Sequence, residues 1–405
     1  VQSIYNYAPM NSQINTIKQR DCFILNLFCF WLLIDSINGF FLRLGEGVPI
    51  SIIYKLFIIL LLSFRLLKFK QGRCVLCCIV IYILWQSLHY IYVSPEKYTE
   101  SLQLLLKPLT NIFIFVYISI LIRQYNNAAI LWIKKIFNYN FIIFAVNIFS
   151  GLLGLGFRSY ETNFGSLGFC GYFYALNELG GVCMALFPFI LYNLYERGRK
   201  IFFIGCCLIV CLGILIISKA AILSAIFSVI LILYYKAKYK KAIIGLTIAA
   251  AFYLIFIFNL DNFLSGDAAY LQKAIYAYNK GGLIELLLSS RQTFVEQRMS
   301  IFFNAPFFDQ LFGIGGNRTV EMDFFDVLLN MGYTGILIYF SSWIYLFLKL
   351  KQNKKNNNLI KIIFASDIIL LGMSTFAGHI YFSSTAGLFI ATLNALMFYK
   401  QSYEK

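Results

Sequence analysis

Residues 313–348 read GIGGNRTVEMDFFDVLLNMGYTGILIYFSSWIYLFL, and this stretch decides the class of fold. Its part from residue 324 onward is long and apolar enough to cross roughly 30 Å of hydrocarbon as one helix. Apolar runs of about 17–25 residues recur along the chain, and no alternating pattern of barrel strands is evident. The sequence therefore predicts an all-α polytopic membrane protein.

Composition supports this class. Hydrophobic residues make up 60% of the 405 positions and charged residues only 13%, whereas a soluble domain averages about 25% charged. The formal net charge is +16, but Lys and Arg fall between the apolar runs, which indicates a topology signal and not a nucleic-acid partner. We expect residues 1–405 to form a single integral membrane domain.

The apolar runs predict about twelve transmembrane helices. These spans lie at 22–42, 49–67, 74–93, 102–122, 131–152, 174–195, 201–217, 220–235, 242–260, 324–348, 360–380 and 384–399. Every second connection is basic, and the positive-inside rule places those connections and both termini in the cytoplasm.

One connection differs from the others in length. Residues 261–323 form an extracytoplasmic loop of about sixty residues between the ninth and tenth helices, a length that suggests function. We expect it to cover a cavity because it is too short and too apolar to build its own core.

Within this loop, residues 289–292 resemble a capping box that opens a short helix ending near Phe303. Arg291 and Arg298 would then lie two turns apart on one face. Two guanidiniums so placed would bind an anion. The alternative is a solvated surface helix in which Glu296 partly neutralises them.

Several further charges lie where topology does not explain them. Lys219 occupies the tight outer turn between the seventh and eighth helices, and Arg158 an outer loop, whereas Lys55 and Lys107 are expected to snorkel to the outer headgroups. Such an excess of outward-facing cations suits an anionic lipid headgroup, most naturally a phosphate or pyrophosphate.

Carboxylates keep a second interpretation open. Glu178 lies near the outer end of the sixth helix and Asp367 toward the cytoplasmic side of the eleventh. A proton-coupled carrier also places carboxylates in its membrane segments, so a transporter is an alternative. Asp323 and Asp326 begin the tenth helix, where we expect headgroup depth and contact with the helix dipole to stabilise them.

We predict neither a metal site nor a cofactor. The chain has ten cysteines, most of them within apolar runs, and only two histidines. Such a distribution is typical of small buried apolar side chains and not of a zinc site or a disulfide framework.

Five short segments together resemble the bacterial O-antigen ligase and polysaccharide polymerase superfamily. They are NFGSLGFCGYFYALNELG (163–180), ISKAAIL (217–223), SSRQTF (289–294), LFGIGG (311–316) and EMDFFDVLLNMGYTG (321–335). The likeness covers roughly residues 160–340. It implies a GT-C-like fold with its active site on the extracytoplasmic face of the cytoplasmic (inner) membrane.

The resemblance also assigns residues. It places the family's loop arginine at Arg291 and its basic turn residue at Lys219. Ligases of the family usually carry Arg at the second position and His where Glu321 stands, so this chain resembles a Wzy-type polymerase more than a ligase.

For such a polymerase, the resemblance implies transfer of a glycan from undecaprenyl pyrophosphate to a sugar hydroxyl, without a metal, in making O-antigen or capsule. Glu321 and Arg291 are the expected catalytic residues, with Glu321 as base. The expected pyrophosphate ligands are Lys219, Arg291, Arg298 and Arg318, supported by Asp323, Glu178 and Arg158. Expected partners are lipid-linked oligosaccharides as donor and acceptor, membrane lipid and a chain-length regulator protein.

Three alternatives remain. A ligase of the same superfamily would transfer the finished glycan to another acceptor. A flippase or transporter usually shows two related halves, whereas the long loop after the ninth helix breaks such symmetry. A peptidoglycan polymerase has characteristic motifs that this sequence lacks.

Overall fold

The computed structural model describes residues 17–162, 165–237, 275, 276, 278, 279, 282, 291–316, 318–353, 357–376, 378–380 and 383–399. The helices are α1 Gln19–Cys29, α2 Trp31–Arg43, α3 Ile50–Leu66, α4 Lys70–Val93, α5 Tyr98–Tyr125, α6 Asn127–Leu152, α7 Leu176–Arg197, α8 Arg199–Ile216, α9 Lys219–Ile232, α10 Arg291–Phe303, α11 Phe307–Phe312, α12 Asp323–Asn353, α13 Asn358–Phe376 and α14 Ser384–Ala395. The strands are β1 Phe157–Thr162 and β2 Gly165–Gly171.

The protein is an all-α polytopic membrane protein, as predicted. In the described part of the chain, eight helices are long and apolar enough to cross a membrane, or up to nine if the bent pair α1 and α2 is one span. Helices lie at the predicted positions in the described part of the chain, although α3, with 17 residues, and the segment from Ser384 to Phe398 are shorter than the eight candidate spans. The predicted ninth span, 242–260, residues 261–274 of the loop and the first two residues of the predicted capping box, 289 and 290, lie outside the described residues.

Helix α7 lies at the centre of the bundle. Its side chains from Glu178 to Leu191 are buried, and it packs against α8, α9, α13 and α14. A Cβ atom added to Gly180 would overlap Ala220 of α9. This small-residue contact lets the two helix backbones approach closely, as is usual between membrane helices.

The eleventh helix ends earlier than the sequence predicts. The span was expected to run through residue 380, but α13 ends at Phe376. Gly378 has φ +103°, a left-handed backbone that favours glycine and cannot continue a right-handed helix. His379 therefore lies in a connection and not inside a membrane helix.

Helix α12 is broken at Gly332. This residue has φ 65° and ψ −161° inside the helix, and an added Cβ would lie 2.5 Å from the Gln310 carbonyl oxygen and from the Gly313 amide nitrogen. The Ile314 amide also donates to the Leu329 carbonyl at 2.8 Å. The end of the long loop is thus packed directly against the first half of α12.

A β-hairpin precedes α7, which the all-α expectation did not include. Strands β1 and β2 pair antiparallel, with Tyr160 opposite Leu167. The hairpin is anchored to α6 by a 2.6 Å hydrogen bond from the Tyr172 amide to Asn147 Oδ1. It also approaches the end of α8, since a Cβ added to Gly168 would lie 2.6 Å from the Ile216 carbonyl oxygen.

Lys55 does not snorkel, contrary to expectation. Its ammonium is buried and lies 2.7 Å from Asp35 Oδ1, and it donates to Ser384 Oγ at 3.0 Å. The pair joins α2, α3 and α14. A charge buried in an apolar bundle requires such a partner because its desolvation is costly.

Candidate functional site

Arg291 and Glu321 form an ion pair. Arg291 Nη2 lies 3.0 Å from Glu321 Oε2. The Arg291 side chain is 13% exposed and that of Glu321 49%, so the pair is accessible from one side. Asn177 Nδ2 donates to the same carboxylate oxygen at 3.0 Å. Two residues that the sequence predicts to act together therefore do meet, although their roles stay a prediction.

The backbone at Glu321 is strained. Its φ is +59°, a left-handed conformation that costs a non-glycine residue about 1–2 kcal/mol. Strained residues of this kind persist where surrounding contacts hold them and concentrate at functional sites. The hydrogen bonds from Arg291 and Asn177 are two such contacts.

The first turn of α7 connects this ion pair to a second one. Asn177 binds Glu321, and its neighbour Glu178 is buried, with Oε2 accepting from Ser383 Oγ at 2.7 Å. Glu178 Oε1 lies 3.9 Å from Lys107 Nζ. Lys107 therefore points into the protein toward a carboxylate. Glu178 thus has two specific partners, Lys107 and Ser383, which the sequence alone did not reveal.

The connection from Gly378 to Ile380 lies against the Arg291–Glu321 pair and Asp323. A Cβ added to Gly378 would contact the Glu321 carbonyl oxygen at 3.4 Å and Arg291 Nη2 at 3.6 Å. The Ile380 amide donates to Asp323 Oδ2 at 2.8 Å. His379 lies between these two contact points, and its Nδ1 is 3.4 Å from Asp326 Oδ2.

Asp323 and Asp326 were expected at headgroup depth at the start of a helix. The structure contradicts this expectation. Both are buried. Asp323 Oδ2 also accepts from Ser374 Oγ at 2.6 Å, and Asp326 Oδ1 accepts from the Val320 amide at 2.6 Å. Asp326 Oδ2 lies 3.4 Å from His379 Nδ1. Their depth inside the protein, and not the headgroup region, determines their environment.

The His379 imidazole responds electrostatically to both ion pairs. Burial lowers its pKa below the usual value, Glu178 and Glu321 oppose that change, and Lys107 and Arg291 reinforce it. Burial disfavours the charged form of histidine. The imidazole therefore favours its neutral form at neutral pH, and the charges of both ion pairs act on its pKa.

Asp323, Asp326 and His379 also have potential ligand atoms within 4.8 Å of one another, close enough to share one metal ion. However, hydrogen-bond donors already engage one oxygen of each carboxylate, and the second Asp326 oxygen faces the imidazole. Donors within the protein thus already satisfy part of each carboxylate. We therefore assign no metal to it.

The hairpin and the Lys219 turn border the same region. Burial raises the pKa of Tyr160 on β1, and the charges of Arg291 and Glu321 are close enough to perturb it. Lys219 is exposed at the first position of α9, directly after the turn that Gly168 approaches. The hairpin thus approaches the Lys219 turn, and its Tyr160 is within electrostatic reach of the ion pair.

The remaining predicted residues lie elsewhere. Arg298 is half-buried two turns along α10 from Arg291. Arg318 lies near Gly316 and Lys97, so its described surroundings belong to the turn before α5. Arg158 is exposed, with its guanidinium 4.3 Å from the centroid of the Phe169 ring. Arg158 thus packs on the hairpin surface.

Sequence reasoning missed three members of the site: His379, Lys107 and Asn177. One signal was available for His379, because it is one of only two histidines in the chain, but the predicted span 360–380 hid it inside a helix. Lys107 was assigned to the headgroups. Asn177 carries no charge, and nothing in the sequence distinguishes it from other polar residues near membrane helix ends.

The arrangement has two chemical capacities. Arg291 and Lys107 can bind an anion by charge-assisted hydrogen bonds, since each is reachable from solvent. A neutral imidazole and a carboxylate lie beside them and can accept a proton. The cations could therefore stabilise an anionic leaving group, and the proton acceptors could activate a hydroxyl nucleophile.

Comparison with known proteins supports the resemblance over part of the chain. Residues 262–402 match the model of a family described as O-antigen ligase like membrane protein. This segment begins well after the upstream stretches at 163–180 and 217–223, and it contains Arg291, Glu321 and His379. No curated protein and no solved structure matches. Over residues 262–402, this chain is therefore similar to the O-antigen ligase-like membrane proteins.

Proposed function

We propose that this protein is a membrane glycosyltransferase that polymerises lipid-linked oligosaccharide repeat units into a surface polysaccharide. The donor is a glycan on undecaprenyl pyrophosphate, and the acceptor is a sugar hydroxyl at the extracytoplasmic face. The observation that carries the proposal is the accessible Arg291–Glu321 pair, with Arg291 Nη2 3.0 Å from Glu321 Oε2, inside the segment that matches the ligase-like family.

The role of the cations follows from the leaving group. A pyrophosphate gains negative charge as the bond to the sugar breaks, and fixed cations stabilise that charge in the transition state. Arg291 is held in place by Glu321 but keeps its remaining donors for a ligand. Lys219, Arg298 and Arg318 are kept as predicted pyrophosphate ligands, although Arg298 and Arg318 lie away from the Arg291–Glu321 pair. No metal is required because pyrophosphate is already a good leaving group.

The reaction also needs a group that accepts the hydroxyl proton. Two described side chains lie where they could accept this proton. Glu321 is the base that the sequence predicts, and His379 lies beside the same ion pairs. Both belong to the segment that matches the family.

The polymerase interpretation rests on Glu321. Ligases of the superfamily usually carry His at that position, and here the residue is a glutamate bound to arginine. A ligase remains the second candidate because the family match covers ligase-like proteins.

An experiment separates these functions. The purified protein is reconstituted in vesicles with lipid-linked oligosaccharide extracted from cells that lack this gene, without nucleotide sugar. A ladder of longer lipid-linked chains supports the polymerase. Transfer only to an added lipid A core supports the ligase, and movement of the intact lipid with no new glycosidic bond would support a flippase.

A further inference from the structure

A buried carboxylate lies beside the imidazole of His379. Asp326 is 1% exposed, and its Oδ2 lies 3.4 Å from His379 Nδ1. No hydrogen bond joins these two atoms, and neither has another hydrogen-bond partner within the described part of the chain. Catalytic hydrogen bonds are often this long before substrate binds and shorten in the complex. The two side chains form a carboxylate–imidazole pair at the edge of the proposed site.

On the basis of the proposed function, we propose that His379 takes the proton of the acceptor sugar hydroxyl and that Asp326 positions its imidazole. In this arrangement His379 is the base, and the Asp326 carboxylate orients it toward the hydroxyl nucleophile. A proton on Nδ1 faces the carboxylate, which leaves Nε2 to accept.

The surroundings of the imidazole suit this role. The charged groups that face it are Asp323 and Asp326 from α12, Glu178 from α7, Lys107 from α5, Arg291 from α10 and Glu321 from the loop. Lys107 partly neutralises Glu178, and Arg291 partly neutralises Glu321. Burial is the main influence on the imidazole, and it favours the neutral form that can accept a proton.

Glu321 has a different place in this scheme. Its Oε2 accepts hydrogen bonds from both Arg291 and Asn177. These contacts engage its charge in holding the guanidinium that binds pyrophosphate. We therefore assign Glu321 to positioning Arg291.

In the proposed step, each bond that forms is matched by one that breaks. The acceptor O–H bond breaks, and its proton moves to His379 Nε2, which becomes an imidazolium. The acceptor oxygen forms a new bond to the anomeric carbon of the donor sugar. The bond from that carbon to the phosphate oxygen breaks, and its electron pair leaves with the lipid pyrophosphate.

Kinetics of two histidine variants test the proposal. His379→Gln and His379→Ala should lower kcat about 10²- to 10⁴-fold, the usual contribution of a general base. KM for the lipid-linked donor and binding of geranylgeranyl pyrophosphate should stay within threefold of wild type. Added imidazole should partly restore the alanine variant, which a merely structural role would not allow.

The pH dependence has a defined sign. Only the neutral imidazole accepts a proton, so kcat should fall as the pH drops through the His379 pKa, at a pH below about 6.5. This acid limb should disappear in both histidine variants. Asp326→Asn should lower kcat with KM retained, and unchanged melting temperature would show that the variant folds.

Glu321→Gln distinguishes the two bases. We expect it to keep at least a tenth of wild-type kcat and to change mainly KM. The proposal would be overturned if His379→Gln kept kcat within threefold, or if Glu321→Gln abolished kcat while donor binding persisted. An inactive wild-type protein would instead reject the proposed transferase function itself.

Discussion

The guanidinium of Arg291 joins two parts of the chain that are distant in sequence. It begins the described helix of the long loop, and its partner Glu321 directly precedes α12. Because the carboxylate orients the guanidinium and leaves it partly exposed, donors that Glu321 does not engage can meet an anionic ligand. At this scale the site consists of an arginine oriented by protein contacts and an imidazole that lies 3.4 Å from a buried carboxylate.

Removal of the Arg291 guanidinium should weaken pyrophosphate binding. Arg291→Ala should raise the Kd for geranylgeranyl pyrophosphate about 10- to 100-fold, since hydrogen bonds to charged groups contribute about 1.5–3 kcal/mol. Arg291→Lys should recover only part of this because it lacks the planar fork. Arg123→Ala, which removes an exposed guanidinium bonded to Gln71, is the control and should bind normally. Equal binding by Arg291→Ala and the control would remove Arg291 from the site.

At the scale of elements, breaks in helices bring the charged residues together. Helix α13 ends before Gly378, and α12 breaks at Gly332, where the end of the long loop packs. The first turn of α7 supplies Asn177 and Glu178 to two different ion pairs. Continuous helices would hold these groups in separate parts of the bundle.

The break at Gly332 should be intolerant of substitution. Gly332→Ala places a side chain on a residue with positive φ and only 2.5 Å from backbone atoms of 310 and 313. We expect a loss of at least about 2 kcal/mol in stability. Gly372→Ala is a matched control, because an added Cβ meets nothing within 4 Å. Melting in detergent should show a clear decrease for the first variant only; similar melting of both would contradict the packed break.

The Lys55–Asp35 pair should stabilise the packing of α2, α3 and α14. Lys55→Met leaves a buried carboxylate without its cation and should destabilise the protein by about 3–5 kcal/mol. The double variant Lys55→Met/Asp35→Leu removes both charges and should recover most of the loss. Thermal melting of the two variants checks this, and a double variant less stable than the single one would show that the pair is not the cause.

At the scale of the whole molecule, the charged cluster lies at one end of a helical bundle. Its members come from the start of α7, the start of α12, the connection after α13 and the loop helix α10. These positions share the extracytoplasmic side of the predicted topology. A substrate carried on a membrane lipid reaches such a site without leaving the bilayer surface.

The predicted orientation can be measured with reporter fusions. Alkaline phosphatase is active only outside the cytoplasm, so a fusion after Tyr174 should be active and a fusion after Gly198 inactive. The reason is the basic connection around Arg197 and Arg199, which the positive-inside rule holds in the cytoplasm. The reverse pattern would place the charged cluster on the cytoplasmic side and exclude the proposed reaction there.

The sequence predicted the helices well because apolar length is a strong and local signal. It also identified Arg291 and Glu321 as members of one site, through motif order. It could not predict Lys107–Glu178 or Asp326–His379, because each pair joins distant segments. The extension of the eleventh span past Gly378 followed from apolar neighbours, whereas the positive φ that ends the helix depends on tertiary contacts.

The most direct test of the central claim is glycosidic bond formation by the reconstituted protein. Wild type and Arg291→Ala are supplied with lipid-linked oligosaccharide alone, and the products are separated by chain length. The account predicts a ladder for wild type and almost none for Arg291→Ala. Absence of any new glycosidic bond with wild type, or an equal ladder from Arg291→Ala, would contradict it.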